Sequence, residues 1–113
     1  MTTRPFRFGV VAGKAPGGEG WTALAHRAER LGYATLLVPD TLGTFAPFPA
    51  LAAAAAVTTT LRLGTYVLSA PNRTSGQVAW EADTLRTLSA GRFELGLGTG
   101  CGRSAASPVA PAS

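Results

Sequence analysis

Apolar residues along this chain come in short bursts separated by loops rich in glycine and proline, and the bursts alternate between two textures. Phe6, Phe8, Val10 and Val11 make a short apolar run ending at Ala12 and Gly13, which predicts strand one; a Gly/Pro loop follows through Gly20. From Trp21 the apolar positions Trp21, Leu24, Ala25, Ala28 and Leu31 recur at helical spacing, and Gly32 stands where a left-handed C-terminal residue belongs. That predicts helix one. Thr35 to Pro39 is apolar without alternation, as in strands covered on both faces, and is read as strand two ending at Asp40.

Beyond the loop from Asp40 to Phe48, Pro49 fits the first turn of a second helix that runs through Ala50 to Val57 and is nearly all alanine, so it must pack closely. Leu61 to Ser69 again lacks alternation and is read as strand three, followed by a polar turn over Ala70 to Gly76. Ser75 is a candidate cap for helix three, with an inner face of Val78, Ala82, Leu85 and Leu88 and an end marked by Ser89, Ala90 and Gly91. Phe93 to Leu97 is strand four. Strand starts at Phe6, Thr35, Leu61 and Phe93 lie about one βα unit apart, and each gap holds one helix-sized segment. The pattern is that of an α/β chain built from parallel βα repeats over residues 1–100, with a tail over 101–113 whose Ala/Ser/Pro texture reads as disordered.

Composition narrows the partners. Of ten basic residues against six acidic ones, nine are arginines scattered singly from Arg4 to Arg103, so the net charge of +4 forms no basic stripe for nucleic acid. Cys101, the only cysteine, has no Cys or His at ligand spacing, which leaves no disulfide or metal framework and points to the cytoplasm. The apolar run that contains Pro49 to Val57, bounded by Thr44 and Thr58, is too short for a membrane span. Gly96, Gly98 and Gly100 alternate at the end of strand four without completing a Gly-x-Gly-x-x-Gly motif, so a dinucleotide-binding turn is unsupported. Gly13-Lys14 likewise lacks the rest of a phosphate-binding loop, and His26 falls opposite the apolar face of helix one, where solvent is expected.

Several segments carry a resemblance: Phe-Arg-Phe-Gly-Val-Val from Phe6, Ala-Glu-Arg-Leu-Gly-Tyr over Ala28 to Tyr33, Val-Pro-Asp over Val38 to Asp40, and above all Leu-Ser-Ala-Gly-Arg-Phe-Glu-Leu-Gly-Leu-Gly from Leu88. Together they resemble the luciferase-like monooxygenase superfamily, whose members use flavin mononucleotide or the deazaflavin coenzyme F420. The resemblance implies the first four strands of a TIM-type (β/α)8 barrel, a fold that usually needs about 250 residues. The alanine-rich second helix and the Val-Pro-Asp turn look most like the F420 users, with FMN as the alternative.

By that resemblance the active rim lies at the C-terminal ends of the strands. Asp40 matches the family's acid beside the ring. Thr41 stands where several relatives carry a histidine, and a hydroxyl is a poor base near neutral pH. A non-prolyl cis peptide is implied near Thr65, Tyr66 and Val67 behind the ring. Asn72 and Arg73 resemble residues facing coenzyme or substrate, and Gly98 and Gly100 allow close backbone approach. Cys101 replaces an acid found in other relatives. The implied activity is hydride exchange, or oxygen activation, with a small organic substrate, the chain being catalytically incomplete alone. Self-association or a partner chain supplying the missing barrel half is expected. Two other readings stay open: a non-catalytic half-barrel assembly module, and a truncated or frameshifted product without activity.

Overall fold

A computed structural model describes residues 7–99; the readings made for Gly100 and for the tail over 101–113 lie outside the described residues. In chain order the elements are β1 (Gly9–Val11), α1 (Gly17–Arg30), β2 (Thr35–Val38), α2 (Pro47–Ala56), β3 (Arg62–Thr65), β4 (Leu68–Ser69), a 3-10 turn (Ala70–Asn72), α3 (Ser75–Leu88), β5 (Phe93–Glu94) and β6 (Leu97–Gly98). The main sheet has the order β1-β2-β3-β5 with every neighbouring pair parallel, and β4 and β6 form a second parallel pair.

The registers place residues in rows across the sheet. One row runs Val10, Leu36, Leu63, Phe93. Leu36 and Leu63 are fully buried, and this row packs into a single core with Trp21, Ala25 and Ala28 of α1, Leu51, Ala54 and Ala55 of α2, and Ala82 and Leu85 of α3. Alanine at the contact lets α2 come close to the sheet. Trp21 fixes α1 on α2 by donating its indole N–H to the Ala50 carbonyl at 2.8 Å and meeting Phe45 edge-on at 5.3 Å.

The alternate row runs Val11, Leu37, Gly64, Glu94 and carries no helical cover among the described residues. Val11 is 52% exposed, and the Arg62–Glu94 ion pair lies on this face. Leu37 lies between two glycines: a Cβ at Gly9 would stand 3.3 Å from its Cδ1 and one at Gly64 3.1 Å from its Cδ2.

Several element boundaries differ from the sequence reading, each for a local reason. Helix α1 begins at Gly17, where φ of +75° turns the chain in, one turn before the apolar face starts at Trp21. Helix α2 begins at Pro47, so two prolines occupy its first turn. Thr74, not Ser75, caps α3, because its hydroxyl is the one that reaches the Gln77 N–H, at 3.2 Å. The inner face of α3 passes from Leu85 to the fully buried Ser89, which leaves Leu88 67% exposed. Strand three is interrupted at the cis peptide Tyr66–Val67, and strand four at Leu95 and Gly96; a Cβ at Gly96 would lie 2.5 Å from the Thr65 carbonyl oxygen, so glycine is required where these two interruptions meet.

Two polar side chains lock the N-terminal end of the sheet. Arg92 donates to the carbonyls of Ser89, Leu61 and Ala55 and to the Thr58 hydroxyl, tying the ends of α2 and α3 to the start of β3. Glu29, near the end of α1, takes the N–H groups of Thr59, Thr60 and Leu61 and the Thr60 hydroxyl on one oxygen. Partial burial opposes its ionisation, but these donors prevail and lower its pKa to about 2.

Candidate functional site

Parallel strands aim their C-terminal ends at one rim, and the loops that follow β2 and β4 meet there. Asp40, two residues past β2, anchors the meeting. Its Oδ2 accepts the Ser69 N–H at 2.9 Å and Arg73 Nε at 3.0 Å, while Oδ1 accepts Arg73 Nη2 at 2.8 Å. The fork of the guanidinium thus meets the carboxylate with two parallel bonds, and the Arg73 head lies 5.9 Å from the centre of the Phe48 ring. Only 15% of the Asp40 side chain is exposed. That burial raises its pKa, but the Arg73 hydrogen bonds, the Ser69 N–H and the Arg73 charge outweigh it and hold the carboxyl below its ordinary value. Arg73 is shifted upward, first by its bonds to Asp40.

A cavity of about 990 Å³ opens beside this pair, and its polar lining includes Asp40, Thr41, Thr44, Asn72, Arg73 and Gln77. Thr44 donates its hydroxyl proton to the Thr41 carbonyl at 2.8 Å, so the 3.0 Å contact between the two hydroxyls is donated by Thr41. The Thr41 oxygen therefore offers lone pairs, not a proton, to a ligand. Asn72 donates to the Ser69 hydroxyl at 2.7 Å. Leu42, at the tip of the loop that begins at Asp40, is fully exposed over the same cavity.

Among the described residues, Thr65, Tyr66, Val67 and Gly98, also named from the sequence, do not line this cavity. Thr65 is buried at the end of β3, and its hydroxyl both donates to the Gly96 carbonyl and accepts the Gly96 N–H, each at 2.8 Å. That hydroxyl holds two strands together and is closed to a ligand. Tyr66 and Val67 are 58% and 41% exposed beside the β4–β6 pair, in which Ser69 is the partner of Gly98 and Leu68 that of the exposed Leu97. His26 is exposed on α1.

Sequence reasoning passed over Arg73 as the counter-ion of Asp40. No local pattern joins two residues 33 apart, and the pairing exists only because β2 and the turn before α3 end side by side. Thr44 and Gln77 carry no motif of their own.

Parallel βα units with helices on one face and a polar rim at the strand ends define part of a (β/α) barrel. The chain belongs to the luciferase-like monooxygenase family, whose profile matches residues 5–107. Solved structures agree on the fold. The chain is similar to the coenzyme F420-dependent tetrahydromethanopterin reductase of Methanopyrus kandleri (TM-score 0.78, 24% identity, 84% of this chain and 27% of that one). It is similar also to the FMN-bound oxygenating constituent of 3,6-diketocamphane monooxygenase, a type II Baeyer–Villiger monooxygenase of Pseudomonas putida (0.74, 20%, 88% and 31%). A third is monooxygenase RslO1 of Streptomyces bottropensis (0.71, 24%, 85% and 34%). The chain spans between a quarter and about a third of the length of these structures. No curated protein matches significantly. Among the described residues no helix is long and apolar enough to cross a membrane.

Proposed function

We propose that this chain supplies the N-terminal side of the ring pocket in an oxidoreductase that uses a reduced deazaflavin or flavin on a small organic substrate. Coenzyme F420 is the first candidate and FMN the second. The observation that carries the reading is the rim itself: a family member in which an acid after β2 is fixed by an arginine beside an open, hydrogen-bonding cavity. The side chains fit one face of a flat ring, because Tyr66, Val67 and Leu97 expose apolar surface at the strand ends. They do not form a phosphate clamp, since Arg73 is engaged by Asp40.

When bound, the coenzyme supplies the hydride or, as a reduced flavin, the reaction with oxygen. The protein's share on this side is positional. Asp40, with both oxygens occupied and its pKa lowered, stays ionised and carries no proton. Its negative charge is balanced by Arg73, so the rim presents a fixed dipole, not a net charge. Thr41 accepts a hydrogen bond from substrate or coenzyme.

Titration of the full chain with reduced FMN and with reduced F420, followed by absorbance and fluorescence, tests the reading. Saturable perturbation of one ring spectrum, weakened by Tyr66→Ala and by Asp40→Asn, is the expected result, without turnover by the chain alone. Spectra that never respond, or that respond equally in both variants, would remove the rim from the function.

A further inference from the structure

We infer that two copies of this chain close into one eight-stranded barrel, the uncovered face of the sheet becoming its interior and each copy completing the other's rim. The first argument is the texture of that face. Leu37 is bracketed by Gly9 and Gly64 on the neighbouring strands, with Val11 and the Arg62–Glu94 pair beyond. Small and large side chains alternating around a curve fit the inside of a small barrel, whereas a face that receives helices is lined by larger residues, as Leu36, Leu63 and Phe93 line the other side.

The second argument is the pair of open edges. Among the described residues, strands β1 and β5 end a sheet whose pairs are all parallel. A two-fold axis along the strands sets β5 of each copy parallel to β1 of the other and closes both edges at once. The result has eight strands, the number at which side chains just fill the interior. Strands of two to four residues, at about 3.3 Å per residue and about 4.8 Å apart, present about 200 Å² in projection. Side-chain relief, both edges and the flanking loops add to this area; a standard interface buries roughly 800 Å² on each partner.

The third argument is charge. In an eight-stranded barrel of this type the register advances by about eight residues per full circuit, hence about four per half. Right-handed coiling carries the row Val11, Leu37, Gly64, Glu94 toward the N-terminal end of the next strand, so Glu94 arrives about four residues before Val11 of the second copy. Arg7 stands there, exposed, and strand alternation puts it on the same face as Gly9 and Val11. The acid at one open edge thus meets the base at the other. Both copies of the Asp40–Arg73 pair then face one enclosed rim, which a single copy leaves open to water on one side.

The test needs no coenzyme, so its outcome is separate from that of the ring titration. Sedimentation of the full chain from about 1 to about 100 µM, the weaker end of the range such interfaces reach, should give a dimer. Arg7→Glu, at an exposed position before β1, should raise the dimer dissociation constant at least about tenfold by setting like charges together, with an unchanged circular dichroism spectrum. In a Cys101→Ser background, Arg7→Cys combined with Glu94→Cys should cross-link position 7 of one copy to position 94 of the other. A monomer throughout, assemblies growing beyond the dimer, a dimer indifferent to Arg7→Glu, or 7-to-7 cross-links would each overturn the closed barrel.

Discussion

The two ends of the sheet use the same kinds of polar side chain for opposite purposes. At the N-terminal end, Arg92 and Glu29 bind backbone: four oxygens, three of them carbonyls, for the guanidinium, and three N–H groups and a hydroxyl for the carboxylate. At the C-terminal end, Asp40 and Arg73 bind mainly each other beside a cavity of about 990 Å³. Backbone groups at element ends must be satisfied wherever they are buried, so the first arrangement is a device of folding. A charged pair held at the edge of an open cavity, with uncommitted hydroxyl lone pairs beside it, is, on the function proposed above, a device for meeting a ligand. In barrels of this kind the chemistry gathers at the C-terminal rim and the other end carries stability; here one strand length separates the two.

The comparison breaks first if Arg92 is expendable. Arg92→Ala leaves the Ala55, Leu61 and Ser89 carbonyls without their charged donor, and charge-assisted bonds to partly buried groups are worth about 1.5–3 kcal/mol each before compensation by water. A loss of about 3 kcal/mol in denaturant unfolding is expected, with little change in the ring titration.

Asp40→Asn comes next. It leaves Arg73, only about a quarter exposed, without a counter-charge. Removing one partner of a buried pair costs about 3–5 kcal/mol, and partial exposure brings this to about 2. Here stability and coenzyme response should fall together. A double-mutant cycle with Arg73→Gln should return a coupling of at least about 1 kcal/mol; additive losses would mean that the two residues act separately.

Glu29→Gln should cost about 1.5 kcal/mol at neutral pH, since a neutral amide oxygen accepts the same N–H groups less strongly. The sign with pH is fixed. The folded pKa, about 2, lies below the ordinary 4.5, so the stabilisation is complete above pH 4.5 and is lost as pH falls toward 2. Unfolding midpoints measured between those limits should fall less steeply in Glu29→Gln than in the parent chain. Equal slopes would assign the acid sensitivity to Asp40 and other carboxylates.

How much of this was legible beforehand follows from what each feature depends on. The three helices could be read because burial imposes a period on neighbours in sequence, as at Trp21, Ala25 and Ala28, and the four strands because short apolar runs such as Thr35 to Val38 stand between loops rich in glycine and proline. The Leu-Ser-Ala-Gly-Arg segment was recognisable as the end of helix three, yet its role was hidden, because Arg92 acts on carbonyls 31 and 37 residues away. The break in strand three and the Gly96 contact with Thr65 lie equally beyond local pattern, since they arise where two chain segments cross. On the rim the sequence pointed to Asp40 as an isolated acid. Its partner became visible only when the loops met, and Thr65, named with the ring contacts, has its hydroxyl turned into the fold.

The smallest effect sharpens the comparison most. Thr41 is exposed, and among the described residues its hydroxyl bonds only to Thr44, so Thr41→Val removes one solvent-accessible hydrogen bond and creates no cavity. Stability should change by less than about 0.5 kcal/mol, as is usual for such surface sites. The effect belongs instead to the ligand. Because Thr44 holds the chain of protons in one direction, valine deletes an acceptor and no donor, and a ligand that donates to Thr41 should bind about threefold more weakly, the value of one modest hydrogen bond. Thr41→Ser keeps the acceptor and should bind like the parent. If Thr41→Val instead unfolds with Asp40→Asn, the rim is a folding device like the opposite end and the contrast fails. If neither stability nor binding moves, the functional rim ends at Asp40, and the loop bearing Leu42 serves some other contact.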